Sequence, residues 1–356
     1  MLSSETPLAN RYDVALLDLD GVVYLQQQPI PGVSEALAAA RQAGMRLAFV
    51  TNNASRTPEQ VAELLGRVGV PAETSEISTS AHAAAHFLAD RLPAGTAVLV
   101  LGTTGLIEAL TERGLRPVFS ADDEPGAIVQ GYSPDLDWRA LAEGAVAIRG
   151  GALWLATNLD ATVPSTRGPL PGNGSLVAAL RHATGVEPLV TGKPEPTMHA
   201  ESVQRSGAKR PIVVGDRLDT DIEGARRAGC DSLLVLSGVT EPAQLLTAGA
   251  LHRPDYLGHD ASALLRPHPA VRVSAGTTRC GGAVVEADGA SLRLSVAPVA
   301  DGDGDDDGLD ALRALAVAAW RPREDGAERR RQSVDAGELT AADERAAETL
   351  VRLGLR

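Results

Sequence analysis

The feature that most constrains the fold is a set of short apolar runs, each ending in polar or turn residues. These runs cover residues 14–17, 47–50, 212–214 and 233–236. Such runs are typical of strands that are buried on both faces of a parallel sheet. Helical patterns follow three of the runs, at residues 33–43, 58–68 and 221–228. The alternation predicts an α/β fold with a doubly wound, mostly parallel sheet.

Two of the predicted helices have recognisable ends. Thr57 followed by Pro58 predicts an N-cap with proline at the first helical position. Thr220 predicts the start of the 221–228 helix, and Gly229 predicts its end.

The chain has 356 residues, enough for two or three domains. Residues 82–187 have the pattern of a second α/β block that interrupts the first sheet, which predicts an inserted cap domain. The core domain is then predicted at 1–81 and 188–260, and a C-terminal extension at 261–356. The pattern of this extension predicts a small α+β appendage, which is either a packed domain or a partly ordered tail. Its acidic loop, 301–308, lacks the EF-hand glutamate because Ala314 stands at position 12, so a solvated linker is favoured over a calcium site.

The formal net charge of -13 at pH 7 opposes nonspecific binding to nucleic acid or to an anionic membrane surface. No apolar run approaches the roughly 18 residues of a membrane span. Cys230 and Cys280 form no CxxC pair and are expected to be thiols, with a disulfide as the alternative. A cytoplasmic setting is therefore the expectation.

Two carboxylates, Asp18 and Asp20, lie where the first predicted strand becomes a loop, and Gly21 follows them. A carboxylate can attack phosphorus and form an acyl phosphate. A second carboxyl nearby can protonate the leaving alkoxide and later take a proton from water. The alternative is an Asx-type turn after the strand.

Three further motifs place polar groups at strand ends or helix starts. Thr51 and Asn52 follow the second run, and a hydroxyl and an amide there can donate to phosphoryl oxygens, although a plain strand-end turn is the alternative. Lys193 precedes Pro194 and can balance the charge of a phosphate, although a surface lysine is the alternative. Asp216 and Asp221 supply the hard oxygen ligands that Mg²⁺ prefers, although Asp221 also suits a helix N-terminus.

Taken together, these motifs resemble the haloacid dehalogenase (HAD) superfamily, and within it the C2a-capped, p-nitrophenylphosphatase- and nucleotidase-like phosphatases. The resemblance covers about residues 12–260 and lies in DLDGVVY at 18–24, VTNN at 50–53, TGKP at 191–194 and GDRLDTDI at 215–222. It implies a HAD Rossmann-like core and Mg²⁺-dependent phosphatase chemistry.

The resemblance also implies a role for each motif residue. Asp18 would be the nucleophile and Asp20 the general acid/base. Mg²⁺ would be bound by Asp18, the backbone carbonyl of Asp20, and Asp216, with Asp221 acting through the outer shell. The residues implied in phosphate or substrate binding are Thr51, Asn52, Lys193 and the cap residues Asn158 and Asp160.

Length and the C-terminal extension resemble one subgroup, the actinobacterial glycerol-3-phosphate phosphatases. Glycerol 3-phosphate is therefore the favoured substrate, and phosphoglycolate, a nucleoside monophosphate and pyridoxal phosphate are the alternatives. A regulatory binding module that keeps the fold without turnover is the non-enzyme alternative. The expected partner is a small phosphate ester, and a homo-oligomer formed through the cap is a further prediction.

Overall fold

A computed structural model describes residues 1–163, 167–289, 291–297, 307–321 and 339–356. The chain divides into two units. The first unit contains Met1–Leu25, Pro29–Leu47 and Lys209–Arg356, and the second contains Gln26–Gln28 and Ala48–Ala208.

The secondary structure of the described residues alternates strands and helices over most of the chain. The strands are β1 (Val14–Leu17), β2 (Tyr24–Leu25), β3 (Gln28–Pro29), β4 (Arg46–Thr51), β5 (Ile77–Thr79), β6 (Ala97–Leu101), β7 (Arg116–Val118), β8 (Ala127–Gln130), β9 (Leu153–Ala156), β10 (Thr162–Val163), β11 (Leu170–Pro171), β12 (Leu189–Val190), β13 (Pro211–Gly215), β14 (Asp231–Val235), β15 (Tyr256–Gly258), β16 (Arg272–Ser274), β17 (Thr277–Cys280), β18 (Ala283–Asp288), β19 (Ser291–Val296) and β20 (Leu339–Ala341). The helices are α1 (Leu8–Arg11), α2 (Val33–Gln42), α3 (Pro58–Arg67), α4 (Ser80–Ala89), α5 (Thr104–Glu112), α6 (Trp138–Arg149), α7 (Asn173–Thr184), α8 (Thr197–Ser206), α9 (Glu223–Ala228), α10 (Pro242–Leu246), α11 (Asp310–Trp320) and α12 (Glu344–Arg352). Within the described ranges, none of these helices has the length and apolar character needed to cross a bilayer.

In the first unit, β15, β14, β13 and β1 lie side by side in that order and run parallel. All residues of β1 are buried, as expected for a strand covered on both faces. Leu17 at the end of β1 pairs with Val214 near the end of β13. Because the two strands are parallel and in register, the residues that follow them lie at the same edge of the sheet. Asp18 follows β1 and Asp216 follows β13.

The C-terminal extension belongs to the same unit and packs on its core. Its sheet has the order β16-β17-β18-β19-β20, antiparallel except for the last pair. Leu312 and Leu315 of α11 lie in one buried cluster with Leu245 and Leu257 from the core. The predicted α+β appendage is therefore confirmed, and its described part is packed. Residues 301–306 of the acidic loop lie outside the described residues.

Arg313 anchors the extension from within α11, with only 3% of its surface exposed. Its Nη2 donates to the backbone carbonyl of Leu257 at 2.8 Å, and its Nη1 donates to Asp307 Oδ1 at 2.7 Å. Burial opposes the ionised form of Asp307, but the hydrogen bonds and charge of Arg313 outweigh it and lower the pKa of this carboxyl. The buried ion pair thus links the acidic loop, α11 and β15.

We expect Arg313→Met to lower the free energy of unfolding by about 3 kcal/mol, because a partly buried carboxylate and a carbonyl would lose their partner. Urea denaturation followed by circular dichroism measures the change. Arg345→Met is the matched control, since Arg345 is exposed on α12 of the same unit. A loss equal to that of the control would show that the pair does not stabilise the extension.

The second unit contains a parallel sheet with the order β12-β9-β8-β6-β7. Successive side chains of β6 alternate between two buried clusters, with Val98 in one and Leu99 in the other. Helices α4 and α5 contribute to the first cluster, and α6 and α7 to the second. Both faces are therefore covered, and the predicted α/β class is confirmed. The domain boundaries at 82, 187 and 260 stay a prediction.

The two predicted helix starts had different outcomes. Thr57 caps α3 as predicted: its Oγ1 accepts from the Gln60 N–H, and the Gln60 side chain accepts from the Thr57 N–H. The predicted N-cap at Thr220 is wrong, because Thr220 lies inside a π-helical turn, Leu218–Ile222, that precedes α9. The turn is stabilised at its start by Asp221, whose Oδ2 accepts from the Arg217 N–H at 3.1 Å.

Candidate active site

Three carboxylates meet at the edge of the sheet in the first unit. Asp18 follows β1, Asp216 follows β13, and Asp221 lies in the π-helical turn. One oxygen from each lies within 4.8 Å of the others. Asp216 and Asp221 are each 1% exposed. Three carboxylates this close repel one another unless a cation balances their charge.

Glycines leave the space into which these carboxylates fit. A Cβ at Gly238 would lie 2.0 Å from Asp216 Oδ2, and one at Gly21 would lie 2.4 Å from the same oxygen. A Cβ at Gly215 would lie 2.2 Å from the Cβ of Asp221. Gly21 also has a φ of +89°, a conformation that glycine adopts without strain. Side chains at these positions would displace the carboxylates.

The loop after β14 fixes Asp216. The Val239 N–H donates to Asp216 Oδ2 at 2.7 Å, and the Thr240 N–H donates to the Asp216 carbonyl at 3.2 Å. Ser237 Oγ donates to the Gly21 carbonyl at 2.6 Å, which connects this loop to the turn after β1. Sequence reasoning missed this loop. The available signal was the Ser-Gly pair that ends the apolar run at 233–236.

Asp20 lies in the turn after β1 and is exposed. The turn is held by backbone bonds: the Gly21 N–H donates to the Tyr24 carbonyl at 2.8 Å, and the Val23 N–H donates to the Leu19 carbonyl at 2.9 Å. An exposed carboxyl on a fixed turn is able to exchange protons with an alcohol or with water, as a general acid/base requires.

Lys193 and Asn52 lie together in the second unit. Lys193 is 4% exposed, and its Nζ donates to the Val50 carbonyl at 3.3 Å. Asn52 Oδ1 accepts from the Lys193 N–H at 2.8 Å, and Asn52 Nδ2 donates to the Lys193 carbonyl at 3.2 Å. Thr51, the last residue of β4, is also buried, and its Oγ1 accepts from the Asn53 N–H at 3.2 Å.

The two predicted cap residues differ in exposure. Asn158 is 4% exposed, and its Nδ2 donates to the Asn52 carbonyl at 2.8 Å. Asp160 is half-buried, and its N–H donates to Asn158 Oδ1 at 3.2 Å. These two hydrogen bonds of the Asn158 side chain therefore join it to backbone groups. Contact of either residue with a substrate stays a prediction.

The carboxylate cluster fits a hard divalent cation. Its side chains offer only oxygen ligands, which Mg²⁺ prefers. The glycines around Asp216 and Asp221 leave room for carboxylates but not for added methyl groups. Asp18, Asp216 and Asp221, predicted from separate motifs, are thus brought together within the first unit.

Two family models match the chain. A model described as haloacid dehalogenase-like hydrolase matches residues 15–116, and one described as HAD-hydrolase-like matches residues 190–264. The matched segments include the loops after β1, β4 and β13.

Among curated proteins, the chain is similar to the D-glycerol 3-phosphate phosphatase of Mycobacterium tuberculosis. The two are 44% identical over 98% of this chain and 96% of the relative. It is also similar to the acid sugar phosphatase of Staphylococcus aureus, with 36% identity over 65% of this chain and 88% of the relative.

Solved structures of phosphatases are also similar to this chain. A crystal structure of glycerol phosphate phosphatase from Mycobacterium tuberculosis in complex with magnesium has a TM-score of 0.87 and 41% identity, covering 99% of this chain and 100% of that chain. The p-nitrophenyl phosphatase from Archaeoglobus fulgidus has a TM-score of 0.66 and 31% identity, covering 71% of this chain and 98% of that chain.

Proposed function

We propose a substrate and a mechanism for this chain, which belongs to the haloacid dehalogenase-like hydrolases and is a phosphatase. The proposed reaction is Mg²⁺-dependent hydrolysis of glycerol 3-phosphate through a phospho-aspartyl intermediate on Asp18. The observation that supports it most is the meeting of Asp18, Asp216 and Asp221, with oxygens within 4.8 Å of one another.

The substrate proposal rests on the extent of similarity. The glycerol 3-phosphate phosphatase of Mycobacterium tuberculosis aligns with 98% of this chain, so the similarity includes most of the C-terminal extension. The acid sugar phosphatase aligns with 65% and the p-nitrophenyl phosphatase with 71%. Full-length similarity therefore favours a glycerol phosphate over a sugar phosphate or an aryl phosphate. The regulatory-module alternative loses its support in a chain that is a phosphatase.

The first proposed step forms the phospho-enzyme. An Asp18 carboxylate oxygen attacks phosphorus, the bond from phosphorus to the ester oxygen breaks, and Asp20 gives its proton to the departing glycerol oxygen. Asp18 and Asp20 are held by adjoining backbone, since the turn that follows β1 is closed by internal hydrogen bonds. The products are glycerol and an acyl phosphate on Asp18.

The second proposed step restores the enzyme. Asp20, now ionised, takes a proton from water, and the resulting hydroxide attacks the phosphorus of the acyl phosphate. The bond to the Asp18 oxygen breaks, inorganic phosphate leaves, and Asp20 is again protonated. Each turnover consumes one water and one ester, and releases one alcohol and one phosphate.

The remaining residues are proposed to bind the phosphoryl group and the metal. Thr51 and Lys193 would donate to phosphoryl oxygens, and Lys193 would add one positive charge. Mg²⁺ would be held by Asp18, Asp216 and the Asp20 carbonyl, with Asp221 in the outer shell. When bound, Mg²⁺ supplies positive charge next to the carboxylates and the phosphoryl oxygens.

The test is phosphate release from a panel of esters: glycerol 3-phosphate, phosphoglycolate, a nucleoside monophosphate, pyridoxal phosphate, a sugar phosphate and p-nitrophenyl phosphate. We expect the highest kcat/KM for glycerol 3-phosphate. EDTA should abolish the activity and excess Mg²⁺ should restore it. A kcat/KM about tenfold higher for another member of the panel would overturn the substrate proposal, and activity that persists in EDTA would overturn the metal proposal.

Two sequence-based predictions remain proposals. We propose a homo-oligomer formed through the cap range 82–187, which the exposure of Phe119 (62%) and Trp138 (80%) in that range supports. The cytoplasmic location rests on the sequence alone.

A further inference from the structure

Asn52 holds the backbone of Lys193, a residue 141 positions away in the sequence. Its side-chain amide accepts from the Lys193 N–H at 2.8 Å and donates to the Lys193 carbonyl at 3.2 Å. An amide that matches both the donor and the acceptor of one residue fixes the orientation of that residue as well as its position. The backbone atoms from which the Lys193 side chain extends therefore have a defined position.

Asn52 is itself held from two other elements. Its carbonyl accepts from Ser80 Oγ at 2.6 Å and from Asn158 Nδ2 at 2.8 Å. Ser80 is the first residue of α4, and Asn158 lies two residues after β9. A carbonyl that accepts two side-chain hydrogen bonds uses both of its lone pairs. The loop after β4 is thus attached to α4 and to the segment after β9.

Asn158 is fixed in the same way. Its Oδ1 accepts from the Asp160 N–H at 3.2 Å, and its carbonyl accepts from Asn173 Nδ2 at 2.8 Å. Asn173 is 1% exposed and begins α7. The result is a continuous relay of hydrogen bonds from α7 through Asn158 and Asn52 to Lys193.

The packing around Gly192 supports this relay. A Cβ at Gly192 would lie 2.1 Å from the Thr157 carbonyl and 2.8 Å from Asn52 Oδ1. The residue before Lys193 is therefore enclosed between the segment after β9 and the Asn52 side chain. Only glycine allows this approach, so the backbone that leads into Lys193 has little freedom to shift.

We infer that Asn52 is a positioning residue for Lys193, and that Asn158 acts by holding Asn52 and not by contacting the substrate. The inference rests on the proposed function, in which Lys193 binds the phosphoryl group. A lysine ammonium is a point charge on a flexible stem, so its distance from a bound phosphate depends on how firmly its backbone is fixed. Loss of the amide pair would weaken the binding of every phosphate ester to a similar degree.

The test compares Asn52→Ala with Thr103→Val. Thr103 Oγ1 donates to the Ser55 carbonyl at 2.8 Å, so the control removes a hydrogen bond to the same loop without touching Lys193. For Asn52→Ala we expect KM for glycerol 3-phosphate, KM for p-nitrophenyl phosphate and the inhibition constant of inorganic phosphate to rise together, by about tenfold. Thr103→Val should leave all three unchanged. Equal effects of the two variants would mean that Asn52 only stabilises the loop.

A double-mutant cycle with Lys193→Met separates this inference from the proposed function. If Asn52 acts through the lysine, Asn52→Ala should have no further effect on the inhibition constant of inorganic phosphate in the Lys193→Met background. An undiminished effect in that background would overturn the positioning role. If Lys193→Met alone leaves phosphate affinity unchanged, it is the proposed role of Lys193 that fails.

Asn158→Ala is the milder variant, because it leaves the amide pair between Asn52 and Lys193 intact. We expect a rise of about threefold in the same three constants, because one supporting hydrogen bond is lost. The ratio of kcat/KM for glycerol 3-phosphate to that for p-nitrophenyl phosphate should not change. A change in this ratio would show that Asn158 contacts the alcohol part of the substrate, against the inference.

Discussion

Replacement of Asp18 by asparagine is expected to lower kcat for phosphate release by about 10⁶-fold, the scale seen when the nucleophile of a covalent mechanism is removed. Asparagine has nearly the shape of aspartate, but its amide oxygen is a much weaker nucleophile. It also takes one negative charge away from the three carboxylates that meet within 4.8 Å. The measurement is phosphate release from glycerol 3-phosphate at saturating Mg²⁺, with acid quenching to detect a phospho-enzyme.

Asp13→Asn is the matched control for this substitution. Asp13 lies just before β1, whereas Asp18 lies just after it, and its carboxylate accepts from the N–H groups of Lys209 and Arg210 at 2.9 and 2.8 Å. Asparagine keeps one of the two acceptor oxygens, and Asp13 lies outside the carboxylate cluster, so the control should retain turnover. Near-wild-type turnover in Asp18→Asn, or a phospho-enzyme that still forms in that variant, would rule out Asp18 as the nucleophile.

The carboxylate cluster could be predicted because it follows from strand direction. The carboxyl ends of parallel strands share one edge of a sheet, so residues after two apolar runs are expected to meet there. Asp18 and Asp216 do so because Leu17 and Val214 are paired in register. Asp221 was predicted as well, but its local structure was not. A helix start at Thr220 looked favourable by side-chain propensity, and the π-helical turn replaced it.

The supporting contacts could not be predicted, because they join residues that are distant in sequence. The Asn52 amide pairs with Lys193 across 141 positions, and the Val239 N–H reaches Asp216 across 23. The spacing of apolar residues predicts which segments form strands or helices, but it does not predict the distance between two loops. An asparagine at a strand end is predicted to be a site residue in either case, whether its side chain binds a ligand or holds a neighbouring residue.

The C-terminal extension shows a similar limit. The sequence predicts a small α+β appendage in this range, and strands such as β16 and β19 and the helices α11 and α12 lie there. The sequence left open whether these elements pack, because packing depends on partners such as Leu245 and Leu257 in the core. The buried ion pair between Arg313 and Asp307 could not be predicted either, because no periodic pattern of residues indicates it.

Gly238→Ala is expected to weaken Mg²⁺ binding by about 100-fold, the upper end of the effect found for groups that orient metal ligands. The added Cβ would lie 2.0 Å from Asp216 Oδ2 and 2.5 Å from its carboxyl carbon, so the carboxylate has to move. Its hydrogen bond from the Val239 N–H, now 2.7 Å, would be strained or lost as a result. Isothermal titration calorimetry with MgCl₂ measures the affinity directly, and the Mg²⁺ dependence of phosphate release gives a second value.

Gly249→Ala provides the comparison for this prediction. A Cβ at Gly249 meets nothing within 4 Å, and its φ of -66° suits alanine, so Mg²⁺ affinity should be unchanged. Because Gly238 offers no side chain to metal or substrate, a specific loss of Mg²⁺ affinity has to act through the position of Asp216. If the Gly238→Ala and Gly249→Ala variants bind Mg²⁺ equally tightly, then Mg²⁺ binding does not depend on the position in which this loop holds Asp216.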